Sequence, residues 1–253
     1  MNEYMVKHDI VEIGKRMYAK GFVASNDGNI SVKTSENEII ITPTGVSKGY
    51  MSTDDMIKVD LDGKIICGER KPSTEMKMHL AVYKNRPDVF SVCHAHPQVA
   101  TAFAVTRTVC EKIALPEVIF SIGHVALAEY ATPTTEEVPD SIADIIKKAD
   151  AVLLSNHGAL TVGSDIFDAY YKMETLEHFA GITMYARILG GEVGLEPQQV
   201  SELLKIRKEK YGKADIEDMG DGFCGARAIE SSEEEKLQKM IEEIVKEKLD
   251  RFK

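Results

Sequence analysis

The stretch Phe90–Gln98 reads FSVCHAHPQ, and it constrains the fold more than any other. Apolar, β-compatible residues run into His94-Ala95-His96, and Pro97 halts the run. A strand of this composition belongs inside a sheet, covered on both faces. Side chains two apart on a strand share a face, so His94 and His96 project together while Cys93 and Ala95 face the opposite core. Two imidazoles on one face can chelate one ion. The plain alternative is a packed histidine beside an exposed one.

The flanking segments build a sheet around this strand. Residues 4–20 carry a helical stripe through Ile10, Ile13 and Met17, closed by Gly21. Strands are predicted near 29–33 and 38–42 with a tip at Ser35–Asn37, and MIKVDLDGKIICG is a second hairpin with an Asp-Gly turn. KPSTEMKMHLAVYKNRP is a helix with Ser73 or Thr74 as N-cap, and PQVATAFAV is a short helix with Pro97 at its first position. AVLLSNHGALTVG is a pair of strands turning at His157-Gly158. A long helix follows from about residue 165, with further helices near 198–210 and 232–251. Hairpin turns with interspersed helices favour an α/β or α+β sheet of substantial antiparallel content, covered by helices.

Bulk properties exclude several function classes. The formal charge of −10 over 253 residues argues against a general nucleic-acid binder, which needs a basic footprint. No apolar run reaches membrane-spanning length, and MNEYMVKHDIVEIGKRM lacks a signal peptide's apolar core. The four cysteines, Cys67, Cys93, Cys110 and Cys224, show neither CxxC nor a disulfide framework. A cytoplasmic protein with reduced thiols is expected.

SNHGAL places His157 in a tight turn, and three neutral imidazoles leaving an open position is a common catalytic zinc arrangement. Glu75, behind Ser73-Thr74, can serve as fourth ligand or base; a first-turn glutamate favoured by the helix dipole is the ordinary reading. His79, one turn on, suits packing or support better than ligation. The turns Asp27–Asn29, Pro43–Ser47 and Pro72–Thr74 offer backbone N–H groups and hydroxyls to an anion without matching a P-loop or a GxGxxG pattern. Each could equally be only a turn.

Taken in order, GNISV (28–32), ITPTG (41–45), PSTEMKMH (72–79), HAH (94–96) and NHG (156–158) resemble the class II aldolase/adducin family, over about residues 5 to 212. The resemblance implies a three-layer α/β/α fold with a central, largely antiparallel sheet. It implies a domain over 1–212, followed by a loop and amphipathic helix over 213–253. It further implies a Zn2+ site on His94, His96 and His157, with Mn2+ or Co2+ as substitutes. Glu75 matches the glutamate that binds the resting metal and acts as acid/base; the family's epimerases carry aspartate there. Gly28, Asn29, Thr44, Gly45, Ser73 and Thr74 match the phosphate turns. Tyr211 matches a tyrosine acting in a site between subunits of a homotetramer. Phe120 departs from the pattern, standing where the family's aldolases place a tyrosine that protonates the leaving aldehyde oxygen.

The implied activity is aldol cleavage of a ketose 1-phosphate, such as L-fuculose 1-phosphate, into dihydroxyacetone phosphate and a short aldehyde through a metal-stabilised enediolate. A methylthioribulose-phosphate dehydratase, a sugar-acid phosphate decarboxylase and a pentulose-phosphate epimerase are the alternatives on the same fold. A non-catalytic adducin-like scaffold is the reading from another class, and the intact histidine and glutamate set speaks against it.

Overall fold

Period-two hydrophobicity decides the middle layer. In the computed structural model, which describes residues 2–108, 112 and 114–211, eight strands form one sheet. They are β1 (Asn29–Ser35), β2 (Glu38–Ile41), β3 (Ile57–Asp60), β4 (Ile65–Cys67), β5 (Ser91–Ala95), β6 (Val125–Ala128), β7 (Ala151–Leu154) and β8 (Gly158–Gly163). Their order is β4-β3-β2-β1-β5-β8-β7-β6. The β6–β7 pair is parallel and the other pairs are antiparallel.

Alternation along these strands divides the apolar residues between two cores. Ile40, Cys93, Ala95, Leu153 and Ala159 pack with α1 (Glu3–Ala19), α3 (Gln98–Thr106) and α6 (Ile166–Ile188). Ile39, Ile41, Val92, Val152, Leu154 and Leu160 pack on the other face with α2 (Met76–Asn85) and α5 (Glu137–Ile142). Helix, sheet, helix is therefore the layering, and the strand carrying the two histidines lies in its middle. Cys93 is fully buried in the first core, as its parity requires.

Most of the elements predicted within the described residues are present, with shifted ends. Helix α2 starts at Met76, so neither Ser73 nor Thr74 caps it: Glu75 holds the cap position without a side-chain cap bond, and Ser73 Oγ accepts from Glu75 N at 3.2 Å. Pro97 occupies the cap of α3 and not its first turn. β5 ends at Ala95, leaving His96 just beyond it. β6 and α4 (Pro116–Ser121) were not legible, because both are too short to show a period. Helix α7 (Pro197–Tyr211) closes the described part. The expected helix over 232–251, Cys110 and Cys224 lie outside the described residues.

The register brings the chemistry to one end of the sheet. Asn29, the first residue of β1, pairs with His94 near the end of β5, and Ala95 pairs with Ala159 at the start of β8.

Candidate active site

His94, His96 and His157 converge at that end of the sheet, and among the described residues they form a group able to hold a metal ion. Each comes from a different local cause. His94 is fixed on β5, with its side chain fully buried. His96 is swung toward it by the chain leaving β5, and its backbone N–H donates to Phe22 O at 2.9 Å. His157 ends a tight turn between β7 and β8 in which Asn156 takes a left-handed φ of 57°, a conformation asparagine tolerates.

The ring nitrogens are sorted by their outer partners. Ala159 O can only accept, so His94 Nδ1, at 3.0 Å, carries the proton and its Nε2 presents a lone pair inward. His96 Nδ1 faces Asp27 Oδ2 at 3.5 Å, which turns its Nε2 toward His94 Nε2 at 3.2 Å. Burial pushes the His94 imidazolium down to about 3, with the Glu75 charge opposing, and burial lowers His96 as well. Both rings are then neutral near pH 7, the form that ligates.

Glu75 completes the group. Its Oε2 lies 3.3 Å from His94 Nε2, and its Oε1 lies 3.1 Å from His157 Nε2. Burial alone would raise this carboxyl; His94 and His157 together with the Asn29 amide outweigh it and hold Glu75 well below the usual carboxylate range. Oε1 is buried and receives no hydrogen bond despite its nearness to His157. An orphaned carboxylate oxygen facing three inward imidazole nitrogens fits a bound cation.

A directional relay holds Glu75 in place. Asn29 Nδ2 donates to Glu75 Oε2 at 2.7 Å, and Asn29 Oδ1 accepts from His79 Nε2. His79 Nδ1 must then accept from Ser31 Oγ at 2.6 Å, which leaves Tyr83 to donate to Ser31 Oγ at 2.7 Å. His79 is fully buried. It supports the carboxylate through Asn29, as its place one turn after Glu75 suggested. Its partner Ser31, which also bonds Tyr83, carries no signal in the sequence, since each of these pairings spans roughly fifty positions.

The pocket above this floor is walled by the expected turns. Gly28 and Asn29, Thr44 and Gly45, and Ser73 and Thr74 all line it, together with Glu75, His96 and His157. Backbone hydrogen bonds from Thr44 N to Lys71 O and from Ser73 N to Thr42 O lock the second and third turns side by side. Gly28 has a φ of +73°, and a Cβ there would meet Val23 Cγ1 at 2.6 Å and His94 O at 2.9 Å. No larger residue fits. Pro133 and Thr134 line the same pocket from the loop after β6 and were missed from the sequence, where they read as an unremarked polar stretch.

Phe120 lies on α4 and is not part of this lining. Tyr130 is largely exposed, and His124 is buried with Asp150 and Arg207 as its charged neighbours. Neither lines the pocket. Tyr211 is the last residue of α7, and its side chain lies outside the described residues. Among the described residues, no helix is long and apolar enough to cross a membrane.

Known proteins share this arrangement of sequence and fold. An L-fuculose phosphate aldolase of Methanococcus maripaludis is 34% identical over 172 residues, covering 68% of this chain and 92% of that protein. A 3-oxo-tetronate 4-phosphate decarboxylase of Haemophilus influenzae is 30% identical, covering 71% and 87%. A solved L-fuculose 1-phosphate aldolase superposes with a TM-score of 0.75 at 31% identity, covering 82% of this chain and 96% of that one. Residues 8–184 match the class II aldolase and adducin N-terminal domain. By that match and these relatives, the chain belongs to the class II aldolase and adducin family.

Proposed function

We propose that this protein is a zinc-dependent aldolase cleaving a ketose 1-phosphate, such as L-fuculose 1-phosphate, into dihydroxyacetone phosphate and a short aldehyde. The observation that carries the reading is the meeting of His94, His96, His157 and an ionised, orphaned Glu75 at the floor of a pocket walled by three anion-ready turns.

His94, His96 and His157 would hold the cation. When bound, a divalent ion supplies Lewis acidity that draws negative charge from the carbonyl and hydroxyl oxygens next to the scissile bond. The turns at Gly28-Asn29, Thr44-Gly45 and Ser73-Thr74 receive the phosphate and so direct that bond toward the floor, converting remote binding energy into orientation. Asn29 keeps one amide hydrogen beyond the one given to Glu75, available to a substrate oxygen. Glu75, ionised at rest, removes the proton from the carbon of dihydroxyacetone phosphate that forms the new bond in the condensation direction; in cleavage it takes up a proton from solvent and delivers it to that carbanionic carbon. Asn29 and His79 hold the carboxylate for that transfer.

In the cleavage direction the hydroxyl that becomes the aldehyde oxygen must lose its proton. Phenylalanine at 120 can neither accept that proton nor return it in the reverse direction, and in the homotetramer that the family reading implies, Tyr211 of a neighbouring copy takes this part. Phe120 also favours a second reading. A 3-oxo acid phosphate, already ionised at its carboxylate, loses CO2 with no hydroxyl proton to remove, and the same dihydroxyacetone-phosphate carbanion remains for Glu75 to protonate. The decarboxylase relative makes this the specific alternative.

The test is dihydroxyacetone phosphate release from L-fuculose 1-phosphate and, separately, from 3-oxo-tetronate 4-phosphate, with aldehyde and CO2 measured in each. Aldehyde formation supports the aldolase. CO2 formation alone replaces it with the decarboxylase, and product from neither, in zinc-loaded protein, overturns both.

A further inference from the structure

Among the described residues, the pocket's lining contains no lysine or arginine, although a sugar phosphate brings two negative charges into a site already holding Asp27 and Glu75. The nearest answer lies behind the wall. Lys48 is 1% exposed, and its ammonium donates to Asn26 O at 3.0 Å and Val46 O at 2.6 Å. Asn26, itself in the pocket lining, directly precedes the first turn of the cradle, and Val46 belongs to the second, next to Gly45 of the lining. Among the described residues, no carboxylate comes within ion-pair distance of it. Asp27 and Glu75 act on it only from farther off, opposing a burial that pushes its pKa down to about 8.

A buried ammonium satisfied by two carbonyls but by no counter-charge is costly unless a charge arrives to balance it. Its place is also rigidly imposed. Lys48 opens the 3-10 turn Lys48–Tyr50, and its carbonyl packs so closely on α1 that a Cβ at Gly14 would lie 2.6 Å from it. The side chain cannot back out of the wall without undocking that turn.

We propose that Lys48 is the positioning residue of the phosphate cradle, clamping the 26–29 and 43–47 turns together and supplying from behind the positive charge that a substrate's phosphate completes. This rests on reading the pocket as a phosphate site. It explains how a cradle with no lysine or arginine among its described lining residues discriminates for an anion: the charge is buried behind the wall, and water does not screen it as it would a surface lysine.

Inorganic phosphate titrated calorimetrically into the zinc-loaded wild type and Lys48→Met needs no turnover. The expected result is phosphate binding weakened about tenfold or more in the variant, with a several-fold smaller loss in kcat/KM for the unphosphorylated ketose than for its phosphate. Equal losses on the two ketoses assign Lys48 to general folding and overturn the proposal; so does unchanged phosphate affinity. No phosphate binding by the wild type overturns the pocket reading as well, which separates the two failures. Should Lys48→Met not fold, the wild-type Lys48 ammonium resonance in 15N-lysine-labelled protein is followed during the phosphate titration. A shift saturating with binding supports the proposal, and an unmoved resonance overturns it.

Discussion

Replacing Gly158 with alanine tests the centre at the point where its geometry is tightest. Gly158 needs no unusual φ, so alanine introduces no backbone strain there; the cost is steric. The new Cβ would lie 2.4 Å from His96 Cδ2 and 2.6 Å from Ala95 O. Ordinary contact begins near 3.4 Å, so about 1 Å of movement is required. The carbonyl belongs to the β5–β8 ladder and resists, which leaves the His96 ring to move. A ligand nitrogen tolerates roughly 0.2 Å of displacement from a metal–nitrogen distance near 2.0–2.1 Å, so a shift of about 1 Å removes His96 from the set. Zinc affinity, measured by competition against a chromophoric chelator, should fall by about 100-fold or more, beyond the range of losing a supporting hydrogen bond. The apo-protein should lose about 1–3 kcal/mol by denaturant titration, as overpacked sites do. Wild-type zinc affinity in Gly158→Ala would refute the geometry argued for His96.

Three further outcomes are expected. Glu75→Gln keeps the volume and removes the base, so kcat should fall by about 10²–10⁴-fold while zinc content by atomic absorption is retained; near-normal turnover would remove Glu75 from the proton transfer. Burial pushes His79 and His124 down to about 4, below their ordinary value, so acid protonates the unfolded chain first. Stability of metal-free protein should thus be full above about pH 6.5 and decline toward pH 4, by on the order of a few kcal/mol, and a flat denaturant midpoint from pH 7 to 4.5 would contradict it. Gly181→Ala in α6 meets nothing within 4 Å and should stabilise by about 0.5–1 kcal/mol, with a lowered denaturant midpoint counting against the open space at that position.

The readable parts of this protein are those written in short-range pattern. The strand parity of Val92 to Ala95 assigned Cys93 to one core and His94 to the opposite face, and both cores obey it. The hairpins and the long amphipathic helices were visible for the same reason, since their periods repeat within a few residues. Boundaries were less legible: Glu75 falls at the cap of α2 because Ser73 turns its hydroxyl to the Glu75 N–H, a choice that propensity does not dictate. β6 escaped notice because four apolar residues carry no distinguishable period.

For the site, the residue types and their order were enough to nominate His94, His96, His157, Glu75 and the three turns. Sequence determines which groups are available and which neighbours share a face. Only the tertiary structure decided how they are held. Ala159 O sets the His94 tautomer across the β5–β8 ladder, and the Tyr83–Ser31–His79–Asn29 relay that aims the Glu75 carboxylate joins α2 to Asn29 and Ser31 of β1, more than forty positions away in the chain. Lys48 shows the division most plainly. In PTGVSK it is one more polar residue of a loop; folded, it is a buried cation bonded to two turns of the cradle. The physical reason is that hydrogen bonds and buried charge act through space at about 3 Å, whatever separation the chain places between the partners.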